Sequence, residues 1–275
     1  MQLTIGILGC GTIGSEIAAA IADGTIDARL GAVYDRHPER ATDTISAFAP
    51  SEEPTLADSV TALASAVDLV VETAGHPAVA EHGKRVLDAE CDLMLLSVGA
   101  LVDNERRSAL LAAAERTDAS IHVPSGAIAG LDAIKASAVT GELEDVTLST
   151  TKPPAGLEGA PYIGENDIDL SALTEPTTVF EGDAAAAADA FPSNINVAAA
   201  LSLAGIGVTE TTVTIVADPA KENNVHRIEA SGSAGRIETE VQNVASPTNP
   251  KTSYLAALSA IETLREMTAT LRVGT

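Results

Sequence analysis

Six residues, Gly9-Cys10-Gly11-Thr12-Ile13-Gly14, constrain the fold of this chain more than any others. They spell G-x-G-x-x-G between an apolar run at residues 3–8 and a helical pattern carried by Ile17 and Ile21. A glycine triplet alone is weak evidence. This context is that of a strand–turn–helix unit that cradles a dinucleotide. Gly9 permits the tight turn, Gly11 lets the backbone approach a pyrophosphate, and Gly14 allows close helix–strand packing. The helix that opens at Thr12 and Ile13 offers free N–H groups and a positive dipole end to the phosphates.

The units that follow repeat the rhythm. Residues 29–35, 67–72, 93–98 and 120–123 read as further buried strands, and residues 38 onward, 77–87 and 104–116 as helices between them. Alternation of this kind predicts a Rossmann-type α/β fold, a doubly wound parallel sheet covered by helices on both faces. Ligands in such sheets bind at the carboxyl ends of the strands. Thr73-Ala74-Gly75-His76-Pro77 and Ser97-Val98-Gly99-Ala100 stand at two of those ends, and Gly75 joins the candidate cofactor residues. Asp35 ends the second strand 21 residues beyond Gly14. An acid there accepts hydrogen bonds from a ribose diol and disfavours a 2′-phosphate, although it would also serve as a helix N-cap. Arg36 can stack on adenine or pair with a 2′-phosphate. The expected cofactor is NAD, with NADP tolerated.

Beyond residue 125 the rhythm changes. A helix at 129–139 is followed by strand-like segments at 146–151, 177–180, 208–216, 225–230 and 235–244. Several alternate polar and apolar residues, as half-exposed antiparallel strands do. Residues 153–164 are rich in Gly and Pro and read as a loop or lid, residues 183–189 as a short surface helix, and residues 251–266 as a last amphipathic helix. The expected organisation is a dinucleotide-binding domain at 1–124 and a mixed α+β substrate and dimerisation domain at 125–248. The 249–275 segment is expected to pack back on the first domain, its final strand at 267–273 joining either sheet.

Composition narrows the function. Lys and Arg total 16 of 275 residues against 39 Asp and Glu, a formal charge of −23. That balance excludes nucleic acid and anionic membrane surfaces as partners. Acids spread along the whole chain, few lysines and only 2% aromatics suggest a protein made for high salt, where self-repulsion is screened. Cys10 and Cys91 make no disulfide framework, and no His/Cys grouping has metal-ligand spacing. With no signal-peptide pattern and no apolar run of membrane length, the expected location is the cytoplasm. Among the histidines, His37 and His82 read as solvated helix residues, His76 as a helix start and His122 as a satisfied strand residue. His226 sits at the start of a strand and has an ordinary pKa near neutrality, so it is a candidate base.

Longer motifs add to these: Pro124-Ser125-Gly126-Ala127-Ile128-Ala129-Gly130, Thr151-Lys152-Pro153-Pro154, Phe191-Pro192-Ser193-Asn194-Ile195-Asn196-Val197-Ala198, Asn224-Val225-His226-Arg227-Ile228 and Asn249-Pro250-Lys251-Thr252-Ser253. With the glycine turn they resemble the L-aspartate dehydrogenases, relatives of homoserine dehydrogenase and dihydrodipicolinate reductase. The resemblance implies NAD(P)-dependent oxidative deamination of L-aspartate to iminoaspartate, with hydrolysis to oxaloacetate plus ammonia or delivery to NAD biosynthesis, in a homodimer. It implies His226 as the catalytic histidine, and Ala127 and Asn196 as contacts of the nicotinamide end. Ser193 stands where the family commonly has a basic or amide residue, while Asn194 and Asn196 remain in place. A dicarboxylate substrate needs cations, and few basic residues occur in the second half: Lys152, Lys221, Arg227, Arg236 and Lys251. Lys152 ranks first because it follows a strand and opens the Pro/Gly loop, with Asn194 beside it as a substrate candidate. The competing readings are a related NAD(P)-dependent dehydrogenase or reductase of another small acid, such as homoserine, and a non-catalytic NAD-binding sensor.

Overall fold

The computed structural model describes residues 2–49, 53–192, 195–247 and 249–274, with the side chains of 249–252 excepted. The chain forms two compact units, Met1–Pro124 with Ala257–Val273, and Ser125–Ala256 with the last two residues.

The first unit is built on strands β1 (Thr4–Leu8), β2 (Arg29–Tyr34), β3 (Thr55–Leu56), β4 (Leu69–Glu72), β5 (Asp92–Leu95) and β6 (Ile121–His122). They form one sheet in the order β3-β2-β1-β4-β5-β6, and every pair is parallel. The connections are helices α1 (Thr12–Ala22), α2 (Pro38–Ile45), α3 (Val60–Ser65), α4 (His76–Asp88) and α5 (Asn104–Thr117). Near-continuous apolar runs in β1, β4 and β5 reflect burial on both faces. The strand order reverses between β1 and β4, the topological switch point at which such sheets bind ligands. One side of the core joins Ile5, Ile7, Ile17, Ile21, Leu30 and Val33 to Ala260 and Leu264 of the last helix, α10 (Tyr254–Thr268), whose portion from Ala257 onward belongs to this unit.

The second unit contains α6 (Leu131–Ala138), β7 (Leu143–Lys152), α7 (Pro161–Glu165), β8 (Thr177–Asp183), α8 (Ala184–Ala190), α9 (Asn196–Ala204), β9 (Thr212–Ala217), β10 (Val225–Gly232), β11 (Gly235–Gln242), β12 (Ala245–Ser246) and β13 (Asn249–Ser253). Five of its strands form a sheet ordered β11-β10-β7-β9-β8. Its inner face carries Val146, Leu148, Ile228, Ala230, Val213 and Ile215, all buried. Its outer face carries Thr147, Ser149, Thr151, Thr214 and Val216, half-exposed.

Several expectations need correction. The second sheet is not wholly antiparallel, because β7 and β9 pair in parallel. The long connection between them contains α7, β8, α8 and α9, enough chain for a parallel crossover. The short helix expected at 183–189 forms as α8: Asp183 caps it by accepting from the Ala186 N–H at 2.7 Å, Ala184, Ala187 and Ala190 are buried on one face, and Ala186 and Asp189 are exposed on the other. The last helix opens at Tyr254 rather than 251, since β13 pairs with β12 and the Tyr254 N–H donates to the Val244 carbonyl, which holds the chain extended to that point. No strand forms at 267–273. α10 continues to Thr268, and the short tail beyond it leaves Leu271 and Val273 exposed.

Candidate functional site

In the first unit the glycine turn has the geometry its spacing requires. Gly9 has φ +102, and a Cβ there would lie 2.8 Å from Ala74. A Cβ on Gly14 would lie 2.1 Å from the Gly9 carbonyl oxygen, so no larger residue fits. A Cβ on Gly11 would meet nothing within 4 Å, and Gly11 is the N-cap of α1 without a side-chain cap. Thr12 and Ile13 form the first turn beyond it. An open helix N-terminus with bare backbone fits a pyrophosphate.

Asp35 follows β2 beside this turn. Its Oδ2 accepts from the Cys10 N–H at 2.7 Å and its Oδ1 from the His37 N–H at 2.8 Å. Asp35 does not cap α2, whose N-cap is His37. A carboxylate has about four acceptor positions, so capacity remains for a ribose diol. Arg36 is exposed. Burial pushes the Cys10 thiol up to about 11, so it is no nucleophile at neutral pH.

Sequence reasoning read Glu72 only as a strand residue. It is fully buried at the carboxyl end of β4. Its Oε1 accepts from the N–H groups of Ala74 and Gly75, both at 2.7 Å, and from Ser97 Oγ at 3.0 Å. Its Oε2 accepts from the Ser97 N–H at 3.1 Å. One carboxylate thus ties the turn after β4 to the turn after β5. Gly75, held by it at φ +111, is the N-cap of α4. Burial pushes the Glu72 carboxyl upward, and the four donors oppose that shift. In Glu72→Gln an amide N–H would face one of these donors. Unfolding in urea is therefore expected to show a loss of about 1–3 kcal/mol, with weaker NADH binding by fluorescence titration. Unchanged values on both counts would remove this role.

His82 is not solvated: its side chain is 15% exposed and sits edge-on to Tyr34. His37 is half-exposed, His76 opens α4, and His122 lies on the edge strand β6, 3.7 Å from Asp92.

In the second unit, strand register assembles a second group. Thr150 of β7 pairs with His226 of β10, and His226 pairs with Val241 of β11. Thr150 Oγ1 and His226 Nδ1 lie 3.0 Å apart, both residues buried. Two residues further along, the same register forms a second row on that face. Asn224 follows opposite Lys152, and the Asn243 N–H donates to the Asn224 carbonyl at 2.8 Å. Lys152, Asn224 and Asn243 line a cavity of about 680 Å³ bounded also by Pro153, Glu158 and Phe191.

Lys152 is 8% exposed, not a solvated surface lysine, and burial pushes its ammonium down to about 8. Burial, then the nearby Lys152 charge, pushes His226 down to about 4. The imidazole is therefore neutral at pH 7, well below the near-neutral value of a free histidine. The rest of the cation shortlist lies elsewhere. Arg227 and Arg236 are engaged with Glu229 and Glu238, and Lys221 is exposed. The Lys251 side chain and all of Asn194 lie outside the described residues. Ala127 is buried, and Asn196 is the exposed first residue of α9. Among the described residues, no group of three or more His, Cys, Asp or Glu is placed to hold a metal ion, and no helix is long and apolar enough to cross a membrane.

Comparison with known proteins matches both halves. Residues 9–124 match the family model "Homoserine dehydrogenase, NAD binding domain", and residues 132–267 match "Aspartate dehydrogenase, C-terminal". The chain is 46% identical over 274 residues to the L-aspartate dehydrogenase of Methanococcoides burtonii, with 100% of each chain covered. The chain belongs to the L-aspartate dehydrogenase family. The L-aspartate dehydrogenase of Methanosarcina mazei is 45% identical over 274 residues, again with 100% of both chains covered. The crystal structure of aspartate dehydrogenase from Thermotoga maritima superposes with a TM-score of 0.77 at 29% identity, covering 100% of each chain. Residues 9–124 are thus an NAD-binding domain in a family of oxidoreductases.

Proposed function

We propose that the protein catalyses the oxidative deamination of L-aspartate to iminoaspartate, and in reverse the reductive amination of oxaloacetate with ammonia. The observation that carries this reading is the cavity-lining row of Lys152, Asn224 and Asn243 backed by the Thr150–His226 pair. It joins a cation for a carboxylate to a neutral imidazole in a chain of this family.

The residues divide the work. The turn at Gly9, Gly11, Thr12, Ile13 and Gly14, with Asp35, Arg36 and Gly75, holds the dinucleotide, and Ala127 and Asn196 hold its nicotinamide end. Bound nicotinamide supplies the acceptor for the hydride from the substrate Cα. Lys152 Nζ holds a substrate carboxylate, and Asn194 is a further substrate ligand. The amine must be neutral before Cα gives up hydride, because an ammonium has no lone pair to form the C=N bond. With His226 Nδ1–H donating to Thr150 Oγ1, Nε2 keeps the lone pair that takes the ammonium proton. A carboxylate on Lys152 offsets the smaller, coulombic part of the depression of the imidazole, while burial, the larger cause, remains. Once that proton has passed to solvent, the same nitrogen can accept a proton from water attacking the imine carbon.

NAD is the preferred cofactor through Asp35, and Arg36 lets NADP be accepted. The reaction serves NAD biosynthesis in the cytoplasm, consistent with two buried, free cysteines. The half-exposed outer face of the second sheet supports a homodimer, and the charge of −23 supports adaptation to high salt. Initial rates with oxaloacetate and ammonia test the reading, using NADH or NADPH in dilute buffer and in molar KCl. Turnover with a preference for NADH and a higher melting temperature in KCl are expected. Absence of turnover in both salts would overturn the activity, and identical melting would overturn the salt adaptation.

A further inference from the structure

The two asparagines in the row with Lys152 are placed differently. Asn243 turns its carboxamide into the protein: Nδ2 donates to the Ala127 carbonyl at 3.0 Å, and Oδ1 is sealed from solvent. Asn224 is half-buried and lines the cavity. Among the described residues no group hydrogen-bonds its carboxamide, and neither amide atom is sealed from water. Register sets its place. Val225 pairs with Thr151, so Asn224 stands opposite Lys152 on the neighbouring strand, about 5 Å away at the backbone. His226 stands two residues along on the same face, about 7 Å away. Asn224 is therefore the corner of a group with the Lys152 amine on one arm and the His226 imidazole on the other.

We infer that the Asn224 carboxamide reads the α-amino-acid end of the substrate, donating through Nδ2 to the α-carboxylate that Lys152 holds and accepting through Oδ1 from the α-amine. The inference rests on the aspartate reading above and adds which of the two carboxylates Lys152 takes. A carboxamide carries a donor and an acceptor on one planar carbon. An α-amino acid presents the complementary pair, an ammonium that only donates and a carboxylate that only accepts, joined through a single carbon. The β-carboxylate is set one carbon further from the amine and matches the carboxamide less well. The His226 arm fits the same pose. An amine bonded to both Asn224 Oδ1 and the imidazole spans about 6 Å with two hydrogen bonds of about 2.9 Å, close to the spacing of the two residues. The cavity's carboxylates, Glu158 and Glu222, are exposed and stand off the paired strands.

The test uses two isomers, L-alanine and 3-aminopropanoate, as competitive inhibitors of L-aspartate oxidation by the intact protein with NAD. Each has one amine and one carboxylate, and only L-alanine has them on the same carbon. The wild type is expected to bind L-alanine about 10- to 150-fold tighter, the range of one hydrogen bond to a charged group. Asn224→Leu keeps the bulk and loses both donor and acceptor. It should shrink that preference to within about threefold, and lower kcat/KM for L-aspartate by about 10- to 150-fold. Asn224→Asp sets a second carboxylate against the substrate's, so it should bind succinate more weakly than Asn224→Leu does. Equal succinate affinity in the two variants would place Asn224 away from the carboxylate and overturn the inference. So would an isomer preference that persists in Asn224→Leu, which would give the amine to Glu158 or Glu222. Should the leucine variant not fold, the wild type decides alone, because no preference between the isomers overturns the proposal. Calorimetry reads the same affinities without turnover. An isomer preference in a protein that oxidises no aspartate leaves the Asn224 contact standing and the deamination reading failed.

Discussion

Replacing His226 by alanine is expected to lower kcat for aspartate oxidation by about 10²–10⁴, the usual contribution of a positioned general base. NADH binding, followed by its fluorescence, should not change. The imidazole is well placed for this result because burial and Lys152 hold it neutral at pH 7. Its pKa near 4 also makes a stability prediction. Between about 6.5 and 4 the unfolded chain binds a proton that the folded chain refuses. Wild-type stability should therefore fall as pH is lowered through that window, by at most about 1.4 kcal/mol per pH unit from this group. His226→Ala should lose that part of the slope. Activity retained within tenfold in the alanine variant would remove His226 from the chemistry, whatever the stability profile shows.

Lys152→Met carries the second large effect, and it separates binding from folding. Methionine keeps the length and apolar stem of the side chain and removes the charge. Affinity for dicarboxylates should drop about 10- to 150-fold, as expected for one hydrogen bond to a charged group. Thermal stability at pH 7 should not fall with it, because a charge in a buried site opposes its own burial. The pH dependence is distinctive. Burial holds the Lys152 ammonium near 8, so wild-type affinity for succinate should decline above about pH 8 as that charge is lost. Succinate has no group of its own titrating there, and the methionine variant should show a flat profile. Parallel profiles in the two proteins would place the carboxylate ligand elsewhere.

How much of this was legible in the sequence depends on distance along the chain. The glycine turn could be read because six consecutive residues determine it. Gly9 and Gly14 leave no room for a Cβ, and that restriction is written locally. Lys152 could be shortlisted because an acidic chain offers few cations, and Asp35 because it falls at the end of the second strand. Glu72 could not be found this way. A glutamate closing a buried strand gives no local signal, and the donors from the neighbouring turn at Ser97 are 25 residues away. His82 was misread for a similar reason, since it lies on α4 and the ring of Tyr34 beside it comes from the distant strand β2.

By itself the sequence determined the backbone geometry of the dinucleotide turn, the parallel βα architecture and the excess of negative charge, because each follows from local periodicity, local sterics or composition. The tertiary structure alone decided how Thr150, His226 and Asn243 come to lie close together. Pairing of β7, β10 and β11 sets residues from three distant segments side by side, and a shift of one residue would turn their side chains to the opposite face. Burial then sets the charge states, making His226 a neutral base and Lys152 a cation that is easily discharged. Residue type supplies the ordinary pKa and hydrogen-bonding capacity of a side chain, whereas exclusion of water and the choice of neighbours arise only when the strands are paired.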